Sequence, residues 1–300
     1  MTDGRRRSKR GEGLLTIEDR RVRLDSLRTL RYLQCGRSKR AVLYLPPFGV
    51  TADFWAPLLS SMAQTGRAAY ALDIPGYGAS SPPRSPYLGY YARVVGEFIR
   101  AMDLESVTLV GNSLGGSVAL GLYLQAPRQV NALVLADVFG LGASLPVSPW
   151  SLWNLVLPSF WLGLFGRGDW AYWRMLHAVF CSIPKDVEER FRVGSGWQWI
   201  KGVLPRSAAL LALGRRLGLP DQRRRFLLRI QDQARRAPVP ILVIWGENDR
   251  MLPHEHTREI QAVLPEAEVE IFPQTGHHPP AENPEGFQRR IAGFLEKNGL

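Results

Sequence analysis

Cysteine is scarce: Cys35 and Cys181 are the two in a chain of 300 residues. Two widely separated thiols make neither a disulfide framework nor a CxxC metal or redox pair, so a reducing, cytoplasmic setting is expected. Long apolar runs are also missing. The longest mostly apolar stretch, residues 150–165, is interrupted by Asn154 and Pro158. It falls short of the ~20 residues that a membrane-spanning helix needs. No HExxH or clustered Cys/His pattern occurs, and Gly76-Tyr77-Gly78 is no nucleotide fingerprint. Neither a metal nor an organic cofactor is therefore expected. Disorder is excluded as the general state, because 45% of the residues are hydrophobic and 22% charged.

Acidic residues are the minority charge, 27 against 38 Lys and Arg, for a net charge of +11. Lysine contributes 5 of the cations and arginine 33. Much of the excess lies in residues 1–40, which hold 13 basic and 5 acidic side chains. Arg5, Arg6, Arg7, Lys9 and Arg10 form a basic tail over residues 1–13, expected to be disordered. Gly11, Glu12 and Gly13 follow it, where a secretory signal would place ~7–15 apolar residues. A second basic stretch, 206–236, sets arginines opposite Phe226, Leu227 and Ile230 on a helical wheel. Such a helix suits a solvated surface or peripheral contact with an anionic membrane. No nucleic-acid recognition element accompanies the tail, so nucleic acid is not an expected partner. Nothing in the sequence specifies an oligomeric state.

Short apolar runs alternate with amphipathic segments over most of the chain. Loosely alternating strands are expected at 16–24 and 29–34, and continuously apolar ones at 41–45, 68–72, 107–110, 132–135 and 241–245, with a last strand at 268–272. Helices are expected at 52–63, 87–102, 114–125, 253–264 and 284–298. This order implies an α/β fold, a mostly parallel central sheet with helices on both faces. The alternation breaks at residues 140–237, which hold seven of the nine tryptophans and no convincing strand. That segment reads as a helical cap inserted between two halves of a core domain, 14–139 and 238–300. It would cover the carboxyl ends of the strands, where open α/β sheets bind ligands.

The chemistry concentrates at three of those strand ends. Gly111-Asn112-Ser113-Leu114-Gly115 joins an apolar strand directly to a helix. A G-x-S-x-G sequence in this context holds a serine on a sharp turn, with the positive end of the helix aimed at developing negative charge. A serine nucleophile needs a base, and the base an orienting acid. Among His177, His254, His256, His277 and His278, His277 follows the last strand at its carboxyl end. His278 is the adjacent loop or pocket residue. His254 and His256 open a helix and are expected to be exposed, and His177 falls in the insertion. Asp249 follows the strand at 241–245 and is the first candidate for the acid. Glu247 is its neighbour, and Asp137, after the strand at 132–135, is the reserve.

These residues stand in the order Ser, Asp, His, and the sequence resembles the α/β-hydrolase superfamily in the serine-nucleophile branch with a helical cap. The resemblance runs from about residue 15 to 295. Asp73 with Ile74-Pro75-Gly76-Tyr77-Gly78-Ala79-Ser80 resembles the family's D-x-P-G-x-G-x-S loop. Gly246-Glu247-Asn248-Asp249 resembles its acid segment. Gly276-His277-His278-Pro279-Pro280-Ala281-Glu282-Asn283-Pro284 resembles its G-H-x-P-x-x-E-x-P segment, which selects His277 over His278. One departure is plain: the family's His-Gly after its third strand is Pro46-Pro47 here, and proline has no N–H. The resemblance maps the oxyanion donors onto the backbone N–H groups of Phe48 and Leu114. It implies a catalytic triad of Ser113, Asp249 and His277 acting on a lipophilic ester or thioester. Phe139, Trp150, Trp153, Trp161 and His278 are the expected pocket residues. Carbon–carbon bond hydrolysis of a vinylogous diketone is the alternative chemistry, although His278 stands where those hydrolases carry tryptophan. A slow or non-catalytic small-ligand binder is the other alternative.

Overall fold

The computed structural model describes residues 15–26, 28–47, 50–85, 87–141 and 220–300. Their strands, in chain order, are β1 (Glu18–Arg23), β2 (Thr29–Cys35), β3 (Arg40–Leu45), β4 (Ala68–Leu72), β5 (Ser106–Asn112), β6 (Ala132–Ala136), β7 (Ile241–Gly246) and β8 (Glu268–Phe272). They form one eight-stranded sheet in the order β1-β2-β4-β3-β5-β6-β7-β8. β2 runs antiparallel to β1 and β4, and the pairs from β4–β3 to β7–β8 are parallel. The parallel strands therefore deliver their carboxyl ends to one edge.

Side-chain alternation divides the core into two layers. Leu43, Leu45, Leu109, Leu133, Leu135 and Val243 face one layer, with Phe98 and Val118. Val42, Tyr44, Val110, Val134, Leu242 and Ile244 face the other, with Trp55, Leu59 and Phe294. Burial on both sides explains why these strands read as unbroken apolar runs. β1, at the sheet edge, is mostly exposed and carries Arg20, Arg21 and Arg23. Charges of this kind discourage pairing with another chain.

Helices α1 (Ala56–Ala63), α2 (Leu88–Ala101), α3 (Leu114–Gln125), α4 (Pro220–Arg236), α5 (His256–Val263), α6 (Pro279–Glu282) and α7 (Pro284–Lys297) complete the described elements, with 310 turns at Ala52–Trp55 and Pro127–Gln129. α7 packs with α1 on one face, while α2, α3 and α4 cover the other. The helix expected at 52–63 is thus a 310 turn leading into α1. The one expected at 253–264 is shortened, because the chain first turns through Pro253, whose carbonyl accepts from the His256 N–H at 3.1 Å. Of the expected cap, α4 is described and buries Phe226 and Ile230 as the wheel predicts. Residues 142–219, with Trp150, Trp153, Trp161 and His177, lie outside the described residues.

Candidate active site

The site is built on the elbow between β5 and α3. Ser113 has φ 52° and ψ −115°, a positive-φ conformation that side chains adopt rarely. The surroundings impose it. The Ser113 N–H donates to the Ala136 carbonyl at 2.8 Å, and the Ser113 carbonyl accepts from Gly116 N–H at 3.1 Å and Phe139 N–H at 3.3 Å. A Cβ on Gly111 would strike the backbone of Gly115, and one on Gly115 would strike the Leu45 carbonyl. The glycines flanking the serine therefore let three backbone segments pass at close range. Leu114 opens α3, where the first helical N–H groups have no partner inside the helix. Phe48 lies outside the described residues.

The loop after β8 supplies His277. Its Nδ1 lies 2.7 Å from Asp249 Oδ2, and both residues are buried. Asp249 Oδ1 accepts the N–H groups of Met251 and Leu252 at 2.8 and 2.9 Å. A carboxylate can only accept, so the proton of this bond is carried by His277 Nδ1. Burial alone would push the Asp249 carboxyl up. The charge and hydrogen bond of His277, with the Leu252 N–H, outweigh burial and hold it below its ordinary value. Glu282 frames the loop, its carboxylate accepting from Gly276 N–H at 3.0 Å and His278 N–H at 3.1 Å.

His278 is buried. Its Nδ1 meets Asn112 Oδ1 at 2.6 Å, its ring lies 4.9 Å from that of His277, and Phe54 contacts it edge-on at 5.6 Å. Asn112 Nδ2 donates to the carbonyls of Ala136 at 3.1 Å and His277 at 3.2 Å. Two carbonyl partners fix the amide orientation, so His278 donates from Nδ1. Burial first, and the neighbouring His277 charge second, push the His278 imidazolium well down, which leaves His278 neutral.

The other candidates separate clearly. Glu247 is exposed and accepts from the Gln274 N–H at 3.0 Å. Asp137 is fully buried beside Asp249 and His277, with ligand-type atoms of the three within 4.8 Å of one another. Phe139 is partly buried beside the elbow, and its carbonyl accepts from Ser117 Oγ at 2.6 Å. His254 is half-exposed. His256, expected to be exposed, is instead 3% exposed. The helix start turns its ring inward onto Trp245, edge-on at 6.1 Å. Burial lowers its pKa. Sequence reading also missed Asn112 as the link between the elbow and the histidine loop. No local pattern marks it, because its partners lie 24, 165 and 166 positions away.

Asp73 organises the neighbouring loops. It is fully buried, and its two carboxylate oxygens accept from Ala52 N–H at 2.7 Å and Ala79 N–H at 3.1 Å. Arg31 reaches it at 3.3 Å and also pairs with Asp19 and Asp53. The segments after β3 and β4 are thereby tied together beside the elbow.

The chain is similar in sequence to an uncharacterised protein of Mycobacterium tuberculosis, 27% identical over 279 residues, with 89% of this chain and 78% of the relative covered. It is likewise 27% identical over 274 residues to a 2-hydroxy-6-oxononadienedioate/2-hydroxy-6-oxononatrienedioate hydrolase of Pseudomonas putida, covering 89% of this chain and 91% of the relative. In structure it is similar to a thermophilic esterase, with a TM-score of 0.67, 27% identity, and 94% and 98% of the two chains covered. The alpha/beta hydrolase family model matches residues 42–290. With the eight-stranded sheet, the serine elbow and the buried His277–Asp249 pair in place, the chain belongs to the alpha/beta hydrolase family and is a hydrolase.

Proposed function

We propose that this hydrolase cleaves a lipophilic carboxylic ester or thioester through an acyl-enzyme. The observation that carries the reading is the buried 2.7 Å bond between His277 and Asp249 at the sheet edge that also holds Ser113 on its elbow. Ser113 Oγ attacks the carbonyl carbon while His277 Nε2 takes its proton. The Leu114 N–H, with that of Phe48, receives the oxyanion. Asp249 keeps the imidazole in the Nδ1–H tautomer and offsets its charge when Nε2 is protonated. The imidazolium then protonates the leaving group. In the second half, His277 activates a water that releases the acid. Neutral His278 adds no competing positive charge beside the base. Phe139, partly buried beside the elbow, contributes to a lipophilic acyl wall; the expected cap residues Trp150, Trp153 and Trp161 lie outside the described residues.

Carbon–carbon bond hydrolysis is the second reading, favoured by the similarity to the Pseudomonas putida hydrolase. The same serine and histidine would act on a vinylogous diketone. A third proposal concerns location. α4 turns Arg224, Arg225, Arg229 and Arg235 to solvent around an exposed Leu228, a face suited to anionic lipid.

The test compares wild type with Ser113→Ala on p-nitrophenyl esters of increasing acyl length, alongside fluorophosphonate labelling. Ester turnover and labelling that both vanish in the variant support the first reading. Turnover of a vinylogous 1,5-diketone with no ester turnover moves the assignment to the second. A folded wild type that neither labels nor turns over either class overturns both.

A further inference from the structure

The triad reading leaves the buried acid beside the triad, Asp137, without a task. Asp137 directly follows β6, at φ 42°, and is fully buried. Its Oδ1 accepts from Gly246 N–H at 3.0 Å. As an acceptor, its Oδ2 finds no donor among the described residues. An orphaned buried carboxylate oxygen is costly and rare. Asp137 sits beside Asp249 and His277, with one ligand-type atom from each of the three within 4.8 Å of the others.

Two buried carboxylates this close do not both ionise. The hydrogen bonds decide which of them keeps the proton. Asp249 collects Met251 N–H, Leu252 N–H and His277 Nδ1–H on its two oxygens. Asp137 collects one N–H, on Oδ1. Asp249 is therefore the anion and Asp137 the acid, with Oδ2 the oxygen that remains for the proton. A proton there turns the orphaned acceptor into a donor and removes the anomaly.

We propose that Asp137 is a neutral positioning residue, carrying its proton on Oδ2 and donating it to the Asp249 carboxylate. Asp249 then has a fourth donor, which holds it ionised and aimed at His277. In assigning His277 as the base, this inference rests on the triad reading above. Burial first, and the Asp249 charge second, push the Asp137 carboxyl well above its ordinary value. Glu282 adds repulsion of the same sign, and the Gly246 N–H opposes it. His277 is the facing group that becomes cationic during turnover, so its charge tightens the ionised state of Asp249 when the imidazolium forms. The same three residues offer the donor types of a metal site. The direct 2.7 Å contact between Nδ1 and Oδ2 is hydrogen-bond geometry and leaves no place for an ion between them.

The first test needs no substrate, so a protein inert on every ester still answers it. The infrared difference between wild type and Asp137→Asn at pH 7 is expected to show a protonated-carboxyl band that shifts in D2O. The kinetic test uses p-nitrophenyl butyrate. Asp137→Asn offers the same donor to Asp249 and the same acceptor to Gly246, and Asn tolerates positive φ. It is expected to recover most of the turnover that Asp137→Leu loses, a loss of about 10- to 100-fold in kcat with KM little changed. Wild-type activity is expected to decline at alkaline pH as Asp137 ionises, and that decline is absent from the Asn variant. A missing carboxyl band, or an Asn variant as impaired as the Leu variant, overturns the proposal. So does activity removed by EDTA and restored by Zn2+, which assigns the cluster to a metal. If the Leu variant does not fold, the band and the two alkaline profiles still decide.

Discussion

Gly115 lies against the Leu45 carbonyl so closely that a Cβ on the glycine would collide with that oxygen. The contact sets the spacing between the serine elbow and the segment that begins at Pro46-Pro47. Gly115→Ala must move one of these backbones, and neither is a flexible side chain. Such overpacking typically costs about 1–3 kcal/mol. A variant that melts earlier and reacts more slowly with a fluorophosphonate is expected. Normal labelling by a fully stable Gly115→Ala would show that the close approach is dispensable.

The strain at Ser113 gives a prediction of opposite sign. A non-glycine residue at φ 52° costs on the order of 1 kcal/mol or more. Ser113→Gly relieves it and removes the nucleophile. The variant is expected to gain about 1 kcal/mol in denaturant unfolding while losing all covalent labelling. A destabilised Ser113→Gly would mean that the Oγ contributes more to stability than the backbone strain removes.

The elbow was legible in the sequence because its requirements are local. A buried strand, small residues on both sides of Ser113 and a helix behind it are all visible within ten positions. Asp249 and His277 were legible because each directly follows a strand that the parallel order places on the same edge. Asp137 is legible there as the reserve acid. Its nearness to Asp249 was not readable, since it depends on β6 lying beside β7 with Ala136 opposite Ile244. The inward turn of His256 was lost for a related reason. Its helix begins three residues later than its periodicity suggests, and this changes the face the ring presents.

Asn112 offers a test of those long-range links. Its side chain joins β5, β6 and the histidine loop through three hydrogen bonds. Asn112→Ala takes the Nδ1 partner from buried His278 and one donor each from two carbonyls. Stranded buried polar groups cost about 1–3 kcal/mol. A loss of about 2 kcal/mol is expected, with kcat falling more than KM rises because the loop carrying His277 loses an anchor. Urea unfolding and ester kinetics on the same preparation would check both. An effect on stability with no change in kcat would make Asn112 a fold residue alone.

The paired acids predict opposite pH dependences of stability. Asp249 is held below its ordinary value in the fold, so its contribution is present above the usual carboxyl range and is lost as pH falls through the depressed value. Asp137 is held above its ordinary value, so its contribution is full below about pH 4 and is lost as pH rises toward the raised value. Asp137→Asn stays neutral at every pH and removes the second dependence. Its stability relative to wild type is expected to increase steadily from pH 4 to pH 8 in urea titrations. A constant difference across that range would mean that Asp137 titrates alike in the folded and unfolded chains.

The arginine face of α4 makes the proposed membrane contact measurable. Arg236 is paired with Asp232 at 3.1 Å, which leaves Arg224, Arg225, Arg229 and Arg235 as the exposed cations on which attraction would rest. Leu228, 51% exposed in their midst, supplies an apolar contact. Each basic residue near an anionic surface is worth roughly 1 kcal/mol, and the attraction decays over a Debye length of ~10 Å at 0.1 M salt. Cosedimentation with phosphatidylglycerol vesicles is therefore expected at low ionic strength. It should fall steeply with added salt and be absent with phosphatidylcholine. Replacing Arg224, Arg225 and Arg229 by Glu should abolish it without changing ester turnover in solution, because these side chains point away from the core that carries Ser113. Binding that survives the triple replacement would shift the contact to the basic tail at residues 1–13, and binding to neither vesicle would leave α4 an ordinary solvated helix.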